Sequence, residues 1–368
     1  SGAGVPVGVI SDGADDRFAS IATGDLPADL VQPPIPGLSA GQGNEGTALL
    51  EIVHDVAPAA PLFFAAARTS VEMTVAIDGL AAAGARVIID DLVFTDEPKF
   101  EDGPVAVAAR RFATGGGVYV TAAGNYARSH YLAPYQPTGG ATFGGFTYRA
   151  LHAFAPGDVG NSLRIPAGGE ILAVLQWNDP FGRSGDDFDL VLARPAPGGD
   201  VLLAVSADAQ RGRGTPIEAV RYANRSGGAL DVYLAVGEFA RVTEVAGLRL
   251  NLVVFSGLSI PLQYAARRDS VLGHAAVEEV MSVAAADAAR PTGVESFSSN
   301  GPATLFFPAR AVRLVPRLTA VDAVATAVGG RGIFPDPFRG TSAAAPHVAG
   351  CAALLLAAGV PATMAVKA

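Results

Sequence analysis

Residues 340–350, Gly-Thr-Ser-Ala-Ala-Ala-Pro-His-Val-Ala-Gly, carry the clearest chemistry in the chain. Ser342 lies on a Gly-led turn that opens a run of small residues, read as a helix. A hydroxyl there is exposed, and the helix dipole favours negative charge on a neighbouring oxygen. That suits a nucleophile whose attack creates an oxyanion. Alone, Gly-Thr-Ser is equally an ordinary helix start. Further polar groups end apolar runs: Asp12 after VPVGVI, Asp90 and Asp91 after ARVII, and Asn125 after VYVTAAG. Ligands of open parallel sheets bind at the C-terminal ends of the strands, which places these four side chains among the candidates.

The elements that must position them alternate. Strands are read at 5–10, 61–67, 85–94 and 118–125, each a short apolar run stopped by a turn. Between them come helices. One follows Asn44 as N-cap, with apolar residues at Ala48, Leu49, Ile52, Val53 and Val56, and closes at Pro58. The second runs from Val71 to Ala83 and the third from Pro104 to Thr114, both stopped by Gly. Alternating strands and helices imply right-handed crossovers and an α/β fold around a parallel sheet. From about 127 to 266 the texture changes to period-two strands between Gly, Pro, Asn and Asp turns, as in GGEILAVLQWNDP, DFDLVLARP and LDVYLAVGEF. This predicts a β-sandwich of jelly-roll type, inserted at 129–266. The first texture returns at 267–368, with a strand expected in 277–287, the helix after Gly340, and the start of another helix in VPATMAVKA.

Composition narrows the function. With 368 residues, 50% hydrophobic and 17% charged, the chain is long and apolar enough for large cores and unlike a disordered one. A net charge of -9 argues against nucleic acid and anionic membranes as partners. No apolar run reaches membrane-spanning length. The single Cys351 excludes an intramolecular disulfide framework and a multi-Cys zinc site.

Taken whole, the 340–350 string resembles the nucleophile motif of subtilisin-like serine proteases. Three other segments match in the right order. VPVGVISDG is similar to the strand that ends in the catalytic Asp, EGTALLEIVHDVAPAA to the helix that begins with the catalytic His, and YVTAAGN to the segment with the oxyanion-hole Asn. FSSNGP at 297–302 resembles the turn before that family's last strands. The resemblance covers roughly 1–128 and the last 100 residues. It implies a subtilisin-like parallel sheet flanked by helices, a peptidase acting on protein or peptide substrates, and a secreted or periplasmic location, although SGAGVPVGVI shows no signal segment.

Two departures redirect the mechanism. Glu45 stands where subtilisins have His, as in the related sedolisins (serine-carboxyl peptidases), which also keep a run ending in Ala-Pro at the spacing seen from Glu45 to Pro58. The sedolisin second carboxylate would fall at Leu49, so the partner of Glu45 must come from elsewhere. Asp12 is one residue later than the subtilisin Asp, whose place Ser11 takes. Asp91 ends a strand that in subtilisins walls the primary specificity pocket, with Asp90 expected to point the other way. Asp12 is slightly favoured. The implied set is Ser342 as nucleophile, Glu45 as general base, Asp12 or Asp91 as partner, and Asn125 in the oxyanion hole. The rival reading is a catalytically inactive binding or scaffold protein on the same fold. A narrowly specific processing protease stays open beside a general one. Oligomeric state is not readable.

The remaining candidates are weaker. His54 lies about 180° round the helix from Glu45, which excludes it as the missing base on that face. His347 resembles a structural His of the family, and His130, His152 and His274 lack metal-ligand spacing. Glu51 and Asp55 read as solvated helix positions. No cofactor is implied. Asp186, Asp187 and Asp189 alternate as in calcium-binding loops, though a solvated turn is the plainer reading. Trp177 reads as a core residue rather than a sugar platform.

Overall fold

The computed structural model describes residues 1–143, 145–242, 247–257 and 259–365. Six parallel strands form the central sheet, in the order Leu318–Asp322, Met281–Asp287, Val118–Ala122, Val87–Asp90, Val7–Ser11, Leu62–Ala66. Val7–Ser11 is buried along its whole length, which is why its sequence is a continuous apolar run rather than an alternating one. Its side chains divide between two cores. Val7 and Val9 share one with Leu49, Val53, Ala344 and Val348, from the helices Glu45–Val56 and Thr341–Ala357. Ile10 shares the other with Ile77, Leu80 and Ala109, from the helices Ser70–Ala82 and Pro104–Thr114. Each fully buried aliphatic side chain contributes about 1.5–3 kcal/mol, so two-sided burial fixes the register of this strand. The chain leaves it first toward Leu62–Ala66 and then crosses to Val87–Asp90 on its other side. That reversal of strand order opens a crevice at the C-terminal ends of the two central strands, where Asp12 and Asp91 lie.

The four strands and three helices expected before residue 128 are present, as is Met281–Asp287. Asn44 occupies the N-cap position but caps no helix amide. Its Oδ1 instead accepts from the Asp16 amide at 2.8 Å and from Thr47 Oγ1 at 3.2 Å, tying the loop after the first strand to the helix start. The edge strand Leu318–Asp322 was not anticipated. VPATMAVKA yields a short helix at Ala362–Ala365, and residues 366–368 of that expectation lie outside the described residues.

Between Val118–Ala122 and Met281–Asp287 the chain builds two larger antiparallel sheets and a two-stranded pair, Ala141–Phe143 with Phe146–Tyr148. One has the order Ile217–Ala223, Glu170–Trp177, Arg249–Phe255, His130–Pro134. The other runs Val201–Ser206, Asp187–Arg194, Leu230–Ala240, Ala150–Leu151, with Asn161–Ile165 also paired to Leu230–Ala240. Trp177, Phe188, Leu190 and Leu252 fill the space between them. Trp177 is fully buried, edge-on to Phe188, and its Nε1 donates to Ser184 Oγ at 3.1 Å. The sandwich also grips the segment that follows Asp91. Gln176 Oε1 accepts from the Lys99 amide at 2.7 Å, and the buried Lys99 Nζ donates to Asp269 Oδ1 at 2.9 Å and to the Val271 carbonyl at 2.9 Å.

Candidate active site

Ser342 stands in the first turn of Thr341–Ala357, after Gly340 at φ 115. Only Gly adopts that angle without strain, and a Cβ on Gly340 would lie 3.1 Å from Asn125 Nδ2. The turn is held from below: the Gly340 amide donates to Asp322 Oδ2 at 2.8 Å, so the edge strand missed in the sequence ends in the carboxylate that fastens the Ser342 loop. Asn125 follows the strand Val118–Ala122. The Thr341 amide donates to Asn125 Oδ1 at 3.0 Å and Thr341 Oγ1 donates to it at 3.1 Å. The amide N–H is purely a donor, so the atom facing it is the oxygen and Nδ2 is the one turned toward Gly340. Thr341 Oγ1 also accepts from the Gly124 amide at 3.0 Å. The Asn125 side chain is thus pinned to the turn that opens the Ser342 helix, and an amide NH2 beside a helix N-terminus is an arrangement able to bind an oxyanion.

Glu45 opens the helix Glu45–Val56. Its carboxyl is hydrogen-bonded to that of Asp91. Two carboxylates both accept, so this contact requires a proton shared by the pair. Burial raises the Asp91 pKa well above the ordinary carboxylate range, reinforced by the charge of Glu45 and then by Asp90 and Asp12. Asp12 is the third member. Burial and the charge of Glu45 push it up to about 6, against the lowering effect of the Gly13 and Gly46 amides. Gly43 makes room for it, since a Cβ there would come within 2.3 Å of Asp12 Oδ2. Glu45 thus acts on Asp91 through both charge and a side-chain hydrogen bond, and on Asp12 through its charge. A pair that holds one proton can accept a second from a hydroxyl and return it.

Asp90 points the other way, as the strand alternation requires. Its Oδ1 accepts from the Leu92 amide at 3.1 Å, Thr121 Oγ1 at 3.0 Å and His274 Nε2 at 2.9 Å. His274 and Asp90 are 3% and 0% exposed at the side chain. Burial disfavours a charged His274, but the Asp90 carboxylate outweighs it and holds the imidazole pKa above its ordinary value. This buried pair fixes the strand end from which Asp91 reaches Glu45. No spacing rule in the sequence pointed to it.

Residues 255–365 match the family model described as Subtilase family. No curated protein matches the chain. Among solved structures, the Clostridium perfringens CspB protease is similar, with a TM-score of 0.54 and 15% identity over 98% of this chain and 83% of that one. The self-cleaved protease domain of PatA has a TM-score of 0.43 at 15% identity, covering 97% of this chain and 81% of its own. The prenylagaramide maturation protease PagA has a TM-score of 0.44 at 13% identity, covering 97% and 76%. The chain has a subtilisin-like protease fold. That fold and the subtilase match support a serine peptidase hydrolase.

Within this subtilisin-like frame two expectations need correction. Glu51 is 3% exposed rather than solvated: it accepts from Ser20 Oγ at 2.6 Å and from the Val328 amide at 3.1 Å, and burial raises its pKa. The helix carrying Glu45 is covered on this side too, by the short helix Ala327–Gly330. Asp186, Asp187 and Asp189 are likewise buried, not a solvated turn. Asp186 Oδ1 accepts from the Val242 amide at 3.0 Å, and Asp189 is pushed up to about 6 by burial despite the neighbouring Tyr148 hydroxyl. Among the described residues no group of three or more His, Cys, Asp or Glu has a metal-holding arrangement. No helix among them is long and apolar enough to cross a membrane.

Proposed function

We propose that this chain is a serine endopeptidase that hydrolyses peptide bonds through a carboxylate-based proton relay. Ser342 Oγ attacks the scissile carbonyl carbon, and Glu45 takes the hydroxyl proton. The oxyanion is met by Asn125 Nδ2 and the Ser342 amide. Glu45 returns the proton to the leaving amine, and water then hydrolyses the acyl ester with the same residue as base. Asp91 holds the Glu45 carboxyl through their common proton, and Asp12 adds a repelling charge that strengthens the pair's hold on it. The observation that supports this reading is the contact of the Glu45 and Asp91 carboxyls at the start of a helix that packs against the one Ser342 opens.

A model Glu is a weaker base than His by about two pKa units, or about 3 kcal/mol per proton. The Asp91 carboxyl beside it, whose pKa burial raises well above the ordinary range, supplies the second group of the relay. The relay works between the two titrations of the pair, which gives acidic to mildly acidic activity. Asn125 donates at every pH, so no strongly acid optimum is imposed. In this reading 1–128 with 267–368 is the peptidase unit, 129–266 an inserted sandwich, and the protein acts outside the cytoplasm, with calcium at most structural.

The test is cleavage of denatured casein from about pH 3 to pH 9 by wild type, Ser342→Ala, Glu45→Gln, Asp91→Asn and Asp12→Asn. Loss of cleavage in the first two variants and a deep loss in Asp91→Asn are expected. A second reading, an inactive binding protein, is favoured by one observation: Leu49, where sedolisins place a second carboxylate, is fully buried in the core. Absence of cleavage together with a Ser342 unreactive at every pH selects that reading.

A further inference from the structure

Asp90 closes the strand Val87–Asp90 and Asp91 is the next residue, so their carboxyls leave the sheet on opposite faces. Asp91 reaches the Glu45 carboxyl. Asp90 is fully buried, and its Oδ1 gathers three donors from three segments. The Leu92 amide, at 3.1 Å, closes a turn across the backbone of Asp91 itself. Thr121 Oγ1, at 3.0 Å, belongs to the neighbouring strand Val118–Ala122, which leads to Asn125. His274 Nε2, at 2.9 Å, comes from the short helix Gly273–Ala276 and also lies 3.2 Å from Thr121 Oγ1. The surroundings of His274 leave Asp90 as its ionic partner. Glu97 acts on it through charge alone, with Oε2 accepting from the Val105 amide at 3.2 Å. Tyr119 is edge-on to the imidazole, ring centres 6.1 Å apart. The cations of the adjoining segments are engaged by other carboxylates: Lys99 by Asp269, Arg110 by Asp102 and Glu279, and Arg313 by Asp102.

We propose that the Asp90–His274 pair positions Asp91 for the reaction: the bonds to Asp90 Oδ1 fix the turn that aims Asp91 at Glu45, and the charge of His274 limits how far Asp90 repels the carboxylates of the relay. This role rests on Ser342 being the nucleophile and on Glu45 and Asp91 serving it. The turn across Asp91 needs an acceptor at position 90, and a buried carboxylate acceptor needs a cation, which His274 supplies. Without that cation, a bare carboxylate beside Asp91 would favour a doubly protonated relay, which has no base, up to a higher pH. The charge of Asp90 adds to the rise of the Asp91 pKa, after burial and Glu45. His274 opposes it from the far side of the pair. Neither residue touches a reacting atom, so both act through Asp91.

The experiment measures kcat and KM against pH with denatured casein for wild type, Asp90→Ala, Asp90→Asn and His274→Gln. Thermal melting and the rate of fluorophosphonate labelling at Ser342 against pH are recorded for each, the second because it needs no peptide substrate. Asp90→Ala removes the acceptor for the Leu92 amide, and kcat should fall about tenfold to a hundredfold with KM within about threefold. Asp90→Asn keeps that acceptor without the charge, so kcat should return to within about threefold of wild type while the acid limb moves down by about half a pH unit to one unit. His274→Gln keeps an N–H for Asp90 without the charge, and the limb should move to higher pH. If Asp90→Ala does not fold, the Asn and Gln variants decide by the opposite directions of their shifts. A folded Asp90→Ala that keeps the kcat and labelling rate of wild type overturns the positioning role. Acid limbs of Asp90→Asn and His274→Gln that both coincide with wild type overturn the part given to charge. A wild type that neither labels at Ser342 nor cuts casein refutes the serine-peptidase reading itself, and the role of the pair falls with it.

Discussion

Replacing Asp12 by Asn removes a carboxylate that the fold holds against its preference. Its pKa rises from 3.8 to about 6, first through burial and then through the charge of Glu45. A folded-state pKa above the unfolded one means that the protonated form is favoured by folding. The resulting stabilisation is complete below pH 3.8 and is lost as pH rises through about 6. The shift corresponds to about 3 kcal/mol if the site were dry. Asp12 is half-buried, and solvent screening reduces this to about 1–2 kcal/mol. Asn keeps the shape beside Gly43 and cannot ionise. Asp12→Asn should therefore gain about 1–2 kcal/mol over wild type at pH 8 relative to pH 4, a rise of about 1–3 °C in Tm. Thermal unfolding of both proteins at the two pH values measures the difference. Activity should respond as well. Asp91 loses one of the charges that raise its pKa, so the acid limb of the rate profile moves to lower pH. A Tm difference that is flat across pH, or a variant that is less stable at pH 8 than at pH 4 relative to wild type, refutes the reasoning.

Two more outcomes follow from the same geometry. Gly340→Ala forces a side chain into a left-handed turn and against Asn125 Nδ2, so activity should fall about a hundredfold while stability falls by only about 1–3 kcal/mol, read by peptidase assay and urea unfolding. His274→Ala leaves Asp90 buried without its cation and should cost about 3–5 kcal/mol. Because the His274 pKa is raised, that stabilisation is present below pH 6.5 and fades above the folded value, so the penalty in urea unfolding should be larger at pH 6 than at pH 9.

The parallel sheet was legible because each of its inner strands is buried on both faces and ends in a polar turn. The positions of Ser342, Glu45 and Asn125 in the fold were legible because each opens a helix or follows a strand end. What escaped the sequence depends on contacts between distant segments. Leu318–Asp322 is a short, half-buried edge strand whose pattern lacks a sustained apolar run. The sequence slightly favours Asp12 over Asp91 as the partner of Glu45, because the side-chain contact of Asp91 with Glu45 depends on how distant strand and helix ends meet. Glu51 reads as solvated from its own helix, because the helix Ala327–Gly330 that covers it comes from nearly 280 residues away (Val328 is 277 positions on). Asp187 and Asp189 alternate correctly along their strand, but the expected solvent side is covered by Tyr148 and its hairpin.

The central claim is that Ser342 is a nucleophile served by a carboxylate base. Its most direct test is the rate of fluorophosphonate labelling as a function of pH, with the modified residue located by mass spectrometry, in wild type and Glu45→Gln. The account predicts modification at Ser342, rising through an acid limb, and a loss of about a hundredfold or more in Glu45→Gln. Labelling elsewhere, no labelling at any pH, or a Glu45→Gln variant that reacts as fast as wild type would contradict it.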